Sequence, residues 1–215
     1  MESFKDPSSL FITFEGIEGS GKTTQIKKIS EHFGNEGYTV TCLREPGGTI
    51  FGEGLREVIL NSKVPIAPIS EALLFASSRA QLLSEVILPK LKQKKHVVIV
   101  DRYVDSSFAY QGIARGLGIE TINDIHSHYP LNIFPDMTLY LKIDLETSLK
   151  RQNTRGNEKD YFEKEKESFY TLLIKGFDKC HEKFNDRIKL IDASMDMDSV
   201  TQEIKENIKA LLKNG

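Results

Sequence analysis

The chain has 215 residues, enough for one α/β domain with a full core, and its 39% hydrophobic and 28% charged residues are typical of a soluble globular protein. A net charge of −2 gives no overall field to attract nucleic acid or an anionic membrane, and neither is expected as a partner. No apolar run approaches the roughly 18 residues that would span a bilayer, and the polar start MESFKDPSS lacks the apolar core of a signal peptide.

The first predicted strand, Leu10–Phe14, runs into GIEGSGKT at Gly16–Thr23. This is a G-x-x-x-x-G-K-T between a strand and a helix start, the context a phosphate loop requires. Glycines at 16, 19 and 21 let backbone N–H groups turn toward phosphate oxygens. Gly16, Ile17, Glu18, Gly19, Ser20 and Gly21 are therefore expected to cradle a nucleotide together with Lys22 and Thr23. Lys22 brings a point charge to the β- and γ-phosphates, and Thr23 a hydroxyl to Mg²⁺. Glu15, just before the loop, is a candidate for a role near metal or acceptor. A helix is predicted from Lys22 to about Phe33.

The second predicted strand, Thr39–Leu43, ends in REPGGT, which puts Arg44 at a strand end. A long helix is predicted over Ile69–Leu88, with Leu73, Ala76, Ala80, Leu83 and Ile87 at helical spacing and Pro89 as its stop. Phe75 and Arg79 are four apart and share a face. That pair could stack on a planar base and meet its edge; the other reading of Phe75 is plain core packing.

The third strand, Val97–Val100, opens VVIVDRYVDSSFAYQ. Asp101 is positioned as a strand-end carboxylate for Mg²⁺, and Asp144, after LYLKI, is a second such candidate. Arg102 either closes a local ion pair with Asp101 or joins Arg44 and Arg79 around one crevice. Three guanidiniums there would suit a second anion.

Strands at Met137–Ile143 and Ile188–Ile191, and helices after Thr147 and over about Asp198–Leu212, complete the alternation. This pattern predicts an α/β fold, a parallel sheet with helices on both faces and ligands beyond the carboxyl ends of the strands. His126 and His128 form an H-x-H without nearby ligands. NEKD at 157–160 is not the N-K-x-D of guanine readers. Cys42 and Cys180 match no metal or redox spacing, so reduced thiols in a cytoplasmic protein are expected. Residues 150–167 are the most charged stretch; a solvated surface would account for them if nothing else did.

Four motifs, FEGIEGSGKTTQ, REPGGT, LLFASSRAQ and IVDRYVDSSFAYQ, stand in an order and spacing that resemble the thymidylate kinase family, and the resemblance extends over nearly the whole chain. It implies a P-loop NTPase type of fold with a five-stranded sheet, one domain over 1–215 and a short mobile lid at about 150–163. The implied reaction is phosphoryl transfer from ATP to dTMP, giving dTDP and ADP for dTTP biosynthesis, with Mg²⁺ and in a homodimer. Carried onto these residues, the resemblance gives Phe75 the thymine stack and Arg79 the thymine carbonyl edge. Arg44 and Arg102 would hold the dTMP phosphate, Tyr110 the deoxyribose, and Ser106 and Gln111 the base pocket, with Tyr170 covering the base. Asp192, Ala193 and Ser194 would lie beside adenine. The phosphate loop carries no arginine, so Arg151 and Arg155 of the lid are expected at the transferred phosphoryl with Lys22 and Arg102. Lids of this family often carry a further arginine, where this chain reads Lys159-Asp160-Tyr161-Phe162. The alternatives are another P-loop kinase, acting on a deoxynucleoside or a different monophosphate, and an ATP-dependent switch with a protein partner.

Overall fold

The computed structural model describes residues 4–153, 161, 162 and 165–214. Five parallel strands, β1 (Leu10–Glu15), β2 (Thr39–Arg44), β3 (His96–Asp101), β4 (Met137–Lys142) and β5 (Ile188–Asp192), form one sheet in the order β2-β3-β1-β4-β5. Each predicted strand is present, its ends within one residue of expectation. The central strands β1, β3 and β4 are buried on both faces because helices cover the sheet on each side, so they read as continuous apolar runs. Full burial of side chains such as Phe14 or Ile99 stabilises the fold by about 2 kcal/mol each. The register sets Phe14 opposite Asp101 and Arg44 opposite Asp101. The carboxyl ends of β1, β2 and β3 therefore finish level, and the loops leaving these three strands meet at one edge of the sheet.

Helix α1 (Lys22–Asn35) starts from Gly21, whose φ of +93° suits glycine and which offers no side-chain cap. The N–H groups of its first turn are thus left for an anion. Helix α2 (Ile50–Leu60) is capped by Thr49, whose Oγ1 accepts the Gly52 N–H at 2.9 Å.

Helix α3 (Pro68–Leu82) corrects two expectations. It does not stop at Pro89 but continues through a wide turn, Leu83–Ile87, into Leu88–Leu91. In that turn the Leu88 N–H reaches back five residues to the Leu83 carbonyl, and the loosened spacing admits a proline that has no N–H to give. Of the residues at helical spacing, Ala76, Leu83 and Ile87 are buried, but Leu73 is 50% exposed, and Ala72 and Arg79 are buried beside them. The remaining helices of use below are Leu145–Asn153, Glu167–Lys183 and Met197–Asn214.

Candidate active site

A cavity of about 270 Å³ opens beyond the carboxyl ends of β1, β2 and β3, close to the lower limit of ~300 Å³ common for small-molecule sites. Glu18, Gly19, Gly21, Lys22 and Thr23 of the phosphate loop line one end. Gly16 is required by geometry, because at φ +136° a Cβ would meet the Leu141 carbonyl oxygen at 2.4 Å. Ile17 and Ser20 are buried and do not line the cavity, so their share is backbone. The Lys22 ammonium spans the loop, donating to the carbonyls of Gly16 at 2.9 Å and Ile17 at 3.3 Å. Burial, followed by the charge of Arg102, lowers its pKa to about 8 against the pull of Asp101, Glu18 and Glu15.

Asp101 lines the same cavity, and its Oδ1 is buried with no hydrogen-bond partner among the described residues. An orphaned carboxylate oxygen sharing a cavity with a threonine is a donor set that suits Mg²⁺. Asp144 does not compete for this role: it is exposed and its Oδ1 caps a helix by accepting the Thr147 N–H at 2.7 Å. His126 is also excluded as half of a metal pair. Its Nδ1 bonds the Ile122 carbonyl, Nε2 faces Arg79, and burial, then Arg79, lowers its pKa to about 4.

Arg102 stands at φ +68°, a left-handed conformation that costs a bulky residue about 1–3 kcal/mol. Its own N–H donates to the Phe14 carbonyl, while Nη1 donates to the Gly16 carbonyl at 3.0 Å and Nη2 pairs with Glu18. The guanidinium also lies 5.3 Å from the centre of the Tyr110 ring. Its ionic partner is thus Glu18 of the phosphate loop and not its neighbour Asp101. Burial opposes a charge on Glu18, yet Arg102 and Lys22 outweigh it and hold the carboxyl below its usual range.

Glu15 does not reach the cavity. It is fully buried, accepting the N–H groups of Tyr103 and Ser106 at 2.8 and 3.0 Å and the Ser106 hydroxyl at 2.6 Å. With both oxygens engaged at the start of the turn after β3, it braces Arg102 and Ser106 from behind; burial, then Asp105, raises its pKa to about 7.

At the other end of the cavity, Phe75, Arg102, Ser106, Tyr110 and Gln111 come together as expected residues, with Arg44 at the rim. Arg44 is exposed and paired with Glu53 at 2.8 Å. Sequence reading missed Arg56 on α2, which also lines the cavity and donates to the Pro46 carbonyl at 3.0 Å. It missed Ser107, Glu45 and Phe162 as well. Phe162 sits 6.0 Å from Phe75 and 5.3 Å from Tyr110 between ring centroids, making a third aromatic wall. Tyr170, expected as a cover, is buried outside the cavity and donates to the Phe162 carbonyl at 3.4 Å, so it supports the wall and is not part of it. Arg79 is likewise one layer back. Its Nε and Nη2 are bound by Glu45 at 2.9 and 2.6 Å, and its Nη1 by Ser107 at 3.0 Å and His126. A carboxylate that takes two of its nitrogens leaves Arg79 acting through Glu45 and Ser107.

Arg151 donates to the Gly19 and Ala193 carbonyls, both at 3.1 Å, tying the phosphate loop to the turn after β5. In that turn Asp192 accepts from the Ser194 N–H and hydroxyl, and neither Asp192 nor Ser194 lines the cavity. Arg155 and residues 154–160 and 163 of the expected lid lie outside the described residues.

A phosphate loop, a carboxylate and threonine suited to Mg²⁺, and a far end of the same cavity walled by aromatics and arginines point to transfer between two nucleotides. A family model described as thymidylate kinase matches residues 14–204. The chain is 43% identical over 202 residues to a thymidylate kinase of Thermoanaerobacter sp. (strain X514), covering 94% of this chain and 98% of that one. It is 42% identical over 210 residues to a thymidylate kinase of Bacillus pumilus, covering 97% and 99%. The crystal structure of thymidylate kinase from Ehrlichia chaffeensis superposes with a TM-score of 0.73 at 31% identity, covering 94% of this chain and 99% of that one. The chain belongs to the thymidylate kinase family.

Proposed function

We propose that this chain transfers the γ-phosphoryl of ATP to dTMP, giving dTDP and ADP for dTTP synthesis, as a single kinase domain that uses Mg²⁺. The observation that carries the reading is one cavity with a phosphate loop, Asp101 and Thr23 at one end and Phe75, Arg102, Tyr110 and Gln111 at the other. Three guanidiniums, Arg44, Arg56 and Arg102, line the one cavity and suit a phosphate-bearing acceptor, which favours a monophosphate over the deoxynucleoside alternative. Bound Mg²⁺ would be held by Asp101 and Thr23 and would neutralise charge on the β- and γ-phosphates.

The chain's own residues mainly position and neutralise. Lys22 gives up its loop carbonyls for the β- and γ-phosphates. Arg102 exchanges Gly16 and Glu18 for the acceptor phosphate, directing an oxygen of dTMP in line with the γ-phosphorus. Phe75 and Phe162 hold the base, and Tyr110 the sugar. Asp192, Ala193 and Ser194 would lie beside the donor's adenine. Arg151 and Arg155 would meet the transferred phosphoryl. Arg155→Ala should lower kcat strongly and leave dTMP affinity unchanged, and an unaltered kcat would remove it from the mechanism.

The exposed apolar residues Phe51 and Val58 of α2 and Ile69 and Leu73 of α3 support a homodimer, which sedimentation at the mass of one chain would exclude. Two free cysteines suit a cytoplasmic setting, to be checked by cell fractionation, and among the described residues no helix is long and apolar enough to cross a membrane.

A coupled assay with ATP and thymidine, dTMP, dUMP or dCMP tests the reaction. Turnover should require a monophosphate and be fastest with dTMP; preferential turnover of thymidine would overturn the reading. The same assay has a predicted pH dependence. Lys22 must be charged to hold phosphates, and in the free protein it loses its proton as pH rises through about 8. The kcat/KM for ATP should therefore fall above about pH 8. The kcat should hold to higher pH, because bound phosphates favour the ammonium.

A further inference from the structure

Among the described residues Gln111 is the one side-chain amide lining the cavity, and a primary amide is ambiguous: turned one way it presents an acceptor, turned the other a donor. Its surroundings remove the ambiguity. Gln111 Nε2 donates to Glu71 Oε1 at 2.8 Å, and Glu71 is fully buried on the first turn of α3. Arg115 Nε donates to both oxygens of Glu71 at 3.2–3.3 Å, while its Nη1 is held by Glu165 at 2.6 Å. Burial raises the pKa of Glu71, and the bonds from Gln111 and Arg115 oppose that rise. A carboxylate bonded in this way accepts and cannot donate. Rotating the amide by half a turn would set two acceptor oxygens against each other in a buried site. The carbonyl end, Oε1, accepts no hydrogen bond from any described residue and is not among the sealed buried atoms, so it is the end left for a ligand.

The geometry points to Glu71, clamped by Arg115, as a positioning residue that locks Gln111 with its carbonyl oxygen toward the base, so that the pocket selects a pyrimidine edge with a ring N–H donor and rejects a 4-amino pyrimidine. This rests on the proposed reading that a pyrimidine monophosphate is the acceptor, stacked on Phe75. A 4-oxo pyrimidine offers N3–H to Oε1 and a carbonyl to the second Nε2 hydrogen. A 4-amino pyrimidine has a bare N3 and an amino group at those positions, so acceptor would face acceptor and donor would face donor. The flipped amide would match the 4-amino base, and the Glu71 carboxylate forbids that flip.

The test compares kcat/KM for dTMP and dCMP in the full-length protein and in Glu71→Gln. A glutamine at 71 can donate to a flipped Gln111, so the dTMP-to-dCMP ratio should narrow at least tenfold, with a rise for dCMP and an unchanged KM for ATP. Equal losses with both acceptors would assign Glu71 to folding alone and overturn the inference, leaving the proposed reaction intact. Failure of the unaltered protein to use dTMP would overturn both. Should Glu71→Gln not fold, Gln111→Leu decides. It should cost dTMP at least tenfold more than dCMP, and equal losses would again refute the selection.

Discussion

Asp101→Asn is expected to lower kcat by about 100- to 1,000-fold, or about 2.7–4 kcal/mol of barrier, and to raise the Mg²⁺ concentration needed for half-maximal rate. dTMP binding, measured by calorimetry without ATP, should change little. Oδ1 of Asp101 is buried without a hydrogen-bond partner among the described residues, at the edge of the cavity that Thr23 and Lys22 also line. An amide keeps the shape and loses the charge that would hold a divalent cation. Stability gives a second readout, because a buried carboxylate oxygen that bonds nothing works against folding. The variant should melt close to the unaltered protein, because relief of that oxygen is offset by lost support for the buried cations Lys22 and Arg102. The pH profile gives a third. The Asp101 charge supports the ammonium form of Lys22, so its loss should move the fall in kcat/KM for ATP to a pH below about 8. A variant with normal kcat and an unshifted profile would place the metal elsewhere.

The parts of this site written in sequence are those fixed by neighbours along the chain. The phosphate loop is legible because strand, glycines, lysine and helix start are contiguous. The strands are legible because burial on both faces leaves unbroken apolar runs. The parts that escaped depend on which elements meet. Glu15 looks equally exposed to the site until the turn after β3 closes over it with two N–H groups and a hydroxyl. Arg79 and Arg56 lie on different helices, and only packing decides that Glu45 captures one while the other reaches the cavity. Phe162 takes the place expected of Tyr170 for the same reason: the wall comes from the segment before the helix, and the helix supplies its support. Pro89 marks a further limit, since a local rule about proline gave way to a wide turn that costs the helix no end.

Arg102→Ala should fail in a different step, raising the Kd for dTMP by about 100-fold or more, while the KM for ATP moves by only a few-fold. Truncating one member of a buried charge pair costs about 2–5 kcal/mol, part of it from the partner left behind. Here that partner is Glu18, whose carboxyl is held ionised chiefly by Arg102 and Lys22 against its own burial. In the variant Glu18 would sit beside the approaching acceptor phosphate with one counter-charge gone. The two contributions can be separated. Adding Glu18→Gln to Arg102→Ala removes the unpaired charge, so it should recover part of the lost dTMP affinity. The left-handed backbone at Arg102 adds a control. Arg102→Gly relieves the strain at φ +68° and should melt higher than Arg102→Ala, yet bind dTMP equally poorly if, as proposed, the guanidinium and not the turn holds the phosphate. If Arg102→Ala instead reproduced the kcat loss of Asp101→Asn with dTMP binding intact, the two residues would be acting as one local ion pair. The observed pairing of Arg102 with Glu18 and the Gly16 carbonyl argues against that outcome, since the guanidinium spends its hydrogen bonds on the phosphate loop while Asp101 Oδ1 accepts none among the described residues.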